Sequence, residues 1–140
     1  MTYRPVITSQ ADLERVWRHL MQPLGFSRES LWFMFLDSSG AAVPQLTQLE
    51  QAEEPPDRET AAAMTQHLAG LAREVAGQGG RVAFLRSRPG GGGPTARDRS
   101  WANTLAEGCR EADLPCEVFH LATDHDIIPM PYDELIAVGV

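Results

Sequence analysis

Leu13, Val16, Trp17, Leu20 and Met21 fall three and four apart, so one face of a helix beginning after Ser9 is apolar. Ser9 fits its N-cap and Asp12 its first turn, where a side-chain oxygen and a negative charge meet unpaired backbone N–H groups. Pro23-Leu24-Gly25 ends it. The period then changes. Ser30 to Leu36 is a dense aromatic and aliphatic run, Asp37-Ser38-Ser39-Gly40 carries turn chemistry, and Ala41 to Leu49 returns as a second strand. Pro44 removes a ladder donor, which makes that second strand an edge or an irregular one.

The acidic, proline-bearing stretch Gln51 to Asp57 reads as a solvated loop. From Arg58 to about Ala76, the spacing of Met64, Leu68, Leu71 and Val75 marks the apolar face of a second helix, stopped by Gly77 to Gly80. Val82 to Leu85 is a short buried strand. A Gly/Pro loop follows it and leads into a helix that opens near Thr95 to Ser100 and carries Trp101, Leu105, Cys109 and Ala112 on one stripe. Pro115 precedes a strand from Glu117 to Leu121, and a last short strand runs through Ile127 and Ile128. The tail Asp133 to Val140 is expected to order partly against the body. This order predicts an α/β fold, one domain over residues 1–140, with helices covering a mixed sheet.

At 140 residues and 43% hydrophobic composition, the chain is long enough for one core and too short for two comfortable ones. Nineteen acidic side chains against 12 basic ones give a net charge of −7, which weighs against nucleic acid as a partner, because sequence-independent affinity for it comes from basic patches. Met1 to Ser9 is mixed and polar, and no apolar run approaches the roughly 18 residues of a membrane span, so a cytoplasmic protein with no membrane contact is expected. Every basic residue is Arg, as a GC-rich coding sequence produces. Cys109 and Cys116 make neither a zinc knuckle nor a disulfide framework and read as buried, reduced thiols. Trp17, Trp32 and Trp101 read as core, and His19 and His67 as partly exposed.

Five arginines, Arg81, Arg86, Arg88, Arg97 and Arg99, fall within a window of 19 residues around four successive glycines. Glycine lets backbone N–H groups approach a ligand closely, a helix N-terminus follows, and guanidinium clamps carboxylate or phosphate at two points. The candidate anion or partner site is therefore Arg86, Arg88, Gly91, Gly92, Arg97, Asp98, Arg99 and Ser100. The loop lacks the Gly-Lys-Ser/Thr ending of a P-loop, and its competing reading is a flexible loop of solvated arginines partly paired with acids such as Asp98. A second cluster packs His120, Asp124, His125 and Asp126 into a short segment. On a continued strand His120, Asp124 and Asp126 would share a face and offer three metal donors, with a polar strand end as the plain alternative. No Gly-x-Ser-x-Gly is present, and Ser87 has no base placed beside it, so no catalytic residue and no cofactor is assigned.

Several pieces occur in an ordered series from Val6 to Pro131: Ser9-x-x-Asp12-Leu13, Leu31-Trp32-Phe33-Met34-Phe35-Leu36-Asp37, Arg58-Glu59, Pro94-Thr95, and Asp124-His125-Asp126-Ile127-Ile128. Together they resemble the RadC-like branch of the JAB/MPN (JAMM) domains. The resemblance implies a JAB/MPN, cytidine deaminase-like architecture, and a zinc site built from His-x-His, the Asp of Ser-x-x-Asp and an upstream Glu acting as general base. Arg86 and Arg88 stand at the two His positions, and a guanidinium offers no lone pair to a metal. Spacing counted from Arg88 puts Ala96 and Arg99 at the Ser and Asp positions, while Pro94-Thr95 as anchor puts Arg97 and Ser100 there. Asp98 is the nearby carboxylate. The upstream Glu position falls on Gln45 or Leu46, with Glu50 some four residues late. The resemblance thus implies a non-catalytic binding or scaffolding module that lost its zinc site, acting with a protein partner or by self-association through an edge strand or helix face. The alternatives are a metal-dependent hydrolase with a relocated site and a sensor of a small acidic ligand.

Overall fold

The computed structural model describes residues 5–50 and 52–130; the tail Asp133 to Val140 lies outside them. In chain order the elements are α1 (Gln10–Met21), β1 (Ser30–Leu36), β2 (Ala42–Leu49), α2 (Arg58–Ala76), β3 (Arg81–Ser87), α3 (Ala96–Glu111), β4 (Phe119–Ala122) and β5 (Ile127–Met130). The strands form one mixed sheet in the order β2-β1-β3-β4-β5. Neighbours are antiparallel except β3 and β4, which run parallel with α3 as their crossover. No helix among the described residues is long and apolar enough to cross a membrane.

Alternation along the strands sorts the core into two layers. Leu31, Phe33 and Phe35 of β1, Val82 and Phe84 of β3, and Phe119 and Leu121 of β4 meet α2 and α3, where Leu68, Trp101 and Leu105 are buried. Met34 and Leu36, Ala83 and Leu85, and Ala122 face the other way, onto Leu13, Val16, Trp17 and Met21 of α1. Complete burial of a side chain such as Phe84 or Leu13 stabilises the fold by about 1.5–3 kcal/mol.

Local chemistry sets the ends. The Ser9 hydroxyl accepts from Asp12 N at 3.1 Å and the Asp57 carboxylate from Thr60 N at 2.7 Å, capping α1 and α2. In the β1–β2 turn Gly40 has φ +90°, and a Cβ there would sit 2.2 Å from the Ile7 carbonyl oxygen, so the position requires glycine. Pro44 lies on the sheet edge, as its missing N–H predicts.

The helical face read for α2 is part of the buried one: Leu68 is buried and Met64 and Leu71 pack partly buried against the core. The helix's buried residues are Ala61, Thr65, Leu68, Ala69 and Ala72, and Val75 is 40% exposed. The small ones are buried by close packing on α3: a Cβ added to Gly108 would lie 2.7 Å from Thr65 Oγ1 and 3.2 Å from the Ala61 oxygen, so small residues line the contact. The strand expected from Glu117 begins at Phe119, Cys116 forming an isolated bridge with Val82 before it. Trp17 and Trp101 are buried and Trp32 is half-buried, its Nε1 donating to Ser87 Oγ at 2.9 Å. His19 and His67 are exposed.

Candidate functional site: a buried arginine cluster

Parity along β3 continues Val82 and Phe84 into Arg86, which therefore points into the layer under α3 rather than to water. Its side chain is 0% exposed. Nε donates to Asp98 Oδ1 at 2.9 Å, Nη1 to the Ala52 carbonyl and Nη2 to Glu29 Oε1, and the guanidinium carbon lies 5.6 Å from the Trp101 ring centroid. Arg88 Nε donates to both oxygens of Asp98, at 3.1 and 3.0 Å. Arg97, exposed on α3, pairs with Glu29 at 3.2 Å and with Glu54 at 3.5 Å. Three guanidiniums therefore face three carboxylates, and the cluster is electrically balanced.

Asp98 is the centre. Its carboxylate also accepts from Thr95 N at 2.8 Å while Asp98 N donates to Thr95 Oγ1 at 3.2 Å, a capping box that closes the start of α3. Burial pushes its pKa up, but the Thr95 N–H and the Arg86 and Arg88 guanidiniums outweigh that and hold it below the ordinary carboxylate range. The anion that the arginines and the helix start hold is thus the protein's own side chain.

The glycine loop differs from a phosphate cradle in polarity. Its carbonyls turn inward: Arg88 Nη1 donates to Pro89 O at 3.4 Å and Gly91 O at 3.3 Å, and Nη2 to Gly93 O at 3.2 Å. Gly90 N donates to Asp124 at 2.8 Å, and Gly91 packs so closely on His125 that a Cβ would lie 2.6 Å from its ring. Arg86 and Arg88 are hence not solvated. Gly92 is exposed, and Arg99 and Ser100 are partly buried on α3. An open cleft of about 450 Å³ between Glu29, Arg88, Pro89, Thr95, Ala96 and Arg97 borders the cluster.

The second candidate set is dispersed, because β4 ends at Ala122 and the chain turns, with Thr123 N donating to Asp126 O at 2.8 Å. Asp124 accepts from Gly90 N and from Phe26 N at 2.9 Å, and Asp126 accepts from Arg18 at 2.7 Å. His120 lies buried on the α1 side, its Nδ1 3.0 Å from Val118 O, which makes Nδ1 the protonated nitrogen; Nε2 is buried with no partner, as is Trp17 Nε1. Burial pushes the His120 pKa down. Among the described residues no three His, Cys, Asp or Glu side chains gather where they could hold a metal ion. Asp124 serves the neighbouring loop, the plainer of the two readings.

Sequence reasoning missed two members. Glu29 lies one residue before β1 with the parity of Leu31 and Phe33, and Leu31 pairs with Arg86, so the sheet register brings the Glu29 carboxylate to Arg86. Gln45, Leu46 and Glu50, where an upstream acid was sought, are exposed on or beside β2. The second miss is the cap itself: Thr95-x-x-Asp98 is capping-box spacing, legible in sequence once the helix start is placed at Thr95. Compared with known proteins, the chain matches no family model, and no curated protein is significantly similar to it.

Proposed function

We propose that this chain is a non-catalytic JAB/MPN-like module, a binding or scaffolding unit in which an ion-pair cluster stands where the family carries zinc. The observation that carries the reading is the Arg86 guanidinium, out of water and bonded to Asp98, Glu29 and Ala52 at once. Two carboxylates and a backbone oxygen around one cationic group are the surroundings a metal ion would need, and a fixed positive charge occupies them. Thr95 and Asp98 stand three apart at the next helix start, each one residue before the Ser and Asp positions counted from Arg88, with Thr for Ser.

A contact surface for such a module is the outer strand β2. Its eight residues, Ala42–Leu49, carry no charge in a chain of net charge −7, and Leu46 and Leu49 are 37% and 39% exposed. Beyond Pro44 and the bulge opposite Phe35, the uncharged residues 45–49 leave backbone donors and acceptors open to strand addition.

The test couples elemental analysis, with zinc add-back, to sedimentation over a range of protein concentrations. The reading predicts no stoichiometric zinc in the wild type, and association or co-purification of a protein that Leu46→Lys weakens. About one zinc per chain in the wild type would return the protein to the hydrolases. A monomer at every concentration, with no protein captured, would remove the scaffolding role.

A further inference from the structure

Cys109 and Cys116 come from different elements, the last turn of α3 and the lead-in to β4, yet both line one cavity of about 340 Å³ with Leu114, Phe119 and Met130. Cys109 belongs to the buried core cluster and Cys116 packs against that same cluster. The turn between them is already fixed: Leu114 N donates to Cys109 O at 2.9 Å, Asp113 holds φ at 54°, and Val82 N and O bond Pro115 O and Glu117 N at 3.0 and 2.9 Å. Both cysteines are free. Cys109 is 1% exposed and Cys116 is half-buried, so a reagent entering the cavity meets Cys116 first.

From this juxtaposition we propose that Cys109 and Cys116 are an oxidative modification site, which a small-molecule disulfide of the glutathione class closes into an internal disulfide between α3 and the β4 lead-in. The Cys116 thiolate attacks one sulfur of the reagent, the reagent's S–S bond breaks, and one small thiol leaves with the proton that Cys116 gave up. The Cys109 thiolate then attacks Cys116 Sγ, the mixed disulfide breaks, and the second small thiol leaves. Two protein thiols have lost two electrons and two protons, and the reagent has gained them. Hydrogen bonding to Cys109 and burial raise the Cys116 pKa, so closure accelerates as pH rises through the alkaline range.

Trypsin cleaves after Arg110, between the two cysteines, so an internal bond links two peptides that otherwise separate. Folded protein incubated with oxidised glutathione is expected to lose about 2 Da, to give the linked peptide pair, and to revert with dithiothreitol. Cys109→Ala is expected to stop at a stable glutathione adduct on Cys116, and Cys116→Ser to react far more slowly. The proposal is overturned if the wild type accumulates a stable adduct without closure, or if the bond forms only after denaturation while the folded protein stays unreacted.

Discussion

Arg86 and Asp98 meet at 2.9 Å with both side chains at 0% exposure, a charged hydrogen bond removed from water and joined on each side to another ion pair. Such a cluster contributes little net stability when intact, because desolvation offsets the Coulomb gain, but removing one member leaves its partners buried and uncompensated. Asp98→Asn is expected to cost about 3–5 kcal/mol and to lower Tm by roughly 10 °C or more in thermal and urea unfolding. Arg86→Lys should lose most of that as well, since a point charge cannot serve Asp98, Glu29 and the Ala52 carbonyl together. A cost below about 1 kcal/mol for Asp98→Asn would mean that the cluster is not closed.

Acid should act through the same carboxylate. The folded-state pKa of Asp98 lies below its ordinary 3.8, so its contribution is complete above that value and is lost as pH falls through and below it, when the unfolded chain takes up the proton first. Asp12, Asp57, Asp124 and Asp126 are displaced the same way. Unfolding free energy measured from pH 6 to about pH 2 is expected to fall with a slope that Asp98→Asn reduces and does not abolish.

A second window belongs to His120. Burial holds its pKa below 6.5 in the folded state, so the unfolded chain binds the proton more readily, and stability declines as pH drops from neutrality through about 6.5. His120→Leu keeps the site apolar beneath α1 and should flatten the curve between about pH 7 and pH 5 while leaving the lower acid limb intact. An unchanged slope in that variant would place the proton uptake elsewhere.

The contact of α2 on α3 gives a compensation test. Gly108→Ala drives a methyl against Thr65 Oγ1 and Cγ2, at 2.7 and 2.9 Å, and is expected to destabilise by about 1–3 kcal/mol despite the better helix propensity of alanine. Thr65→Ala in that background removes both atoms and should restore a large part of the loss, read as a coupling energy in a double-mutant cycle.

Much of the fold was legible because its signals are local. The run Ser30 to Leu36 became β1 with those same ends, and Arg58 to Ala76 became α2, since a dense β-prone run and a glycine stop each act over a few residues. The inner face of α2 was legible in part, through Leu68 and through Met64 and Leu71 packed against the core. Periodicity read through Met64, Leu71 and Val75 follows residue size, whereas Ala61, Thr65, Ala69 and Ala72 are buried because Gly108 lets another helix approach closely. The site was half legible: the pairing of arginines with Asp98 was expected, but the pairing of Glu29 with Arg86 spans 57 residues and depends on the register of β1 against β3. For His120, Asp124 and Asp126, strand parity was the right rule applied past the end of the strand.

The parallel pairing of β3 with β4 passes through α3, and the cluster ties the end of β3 to the start of that helix. A chain with the β1–β3 pair formed and α3 not yet seated would leave Arg86 with Glu29 alone and Arg88 without Asp98, both open to water. Docking α3 buries these guanidiniums and delivers Asp98 to them in the same step, so a partly docked helix that covers them without Asp98 is disfavoured. Asp98 thus works as a latch on cooperativity: α3 is expected to exchange its amide hydrogens together with the central strands instead of peeling off first.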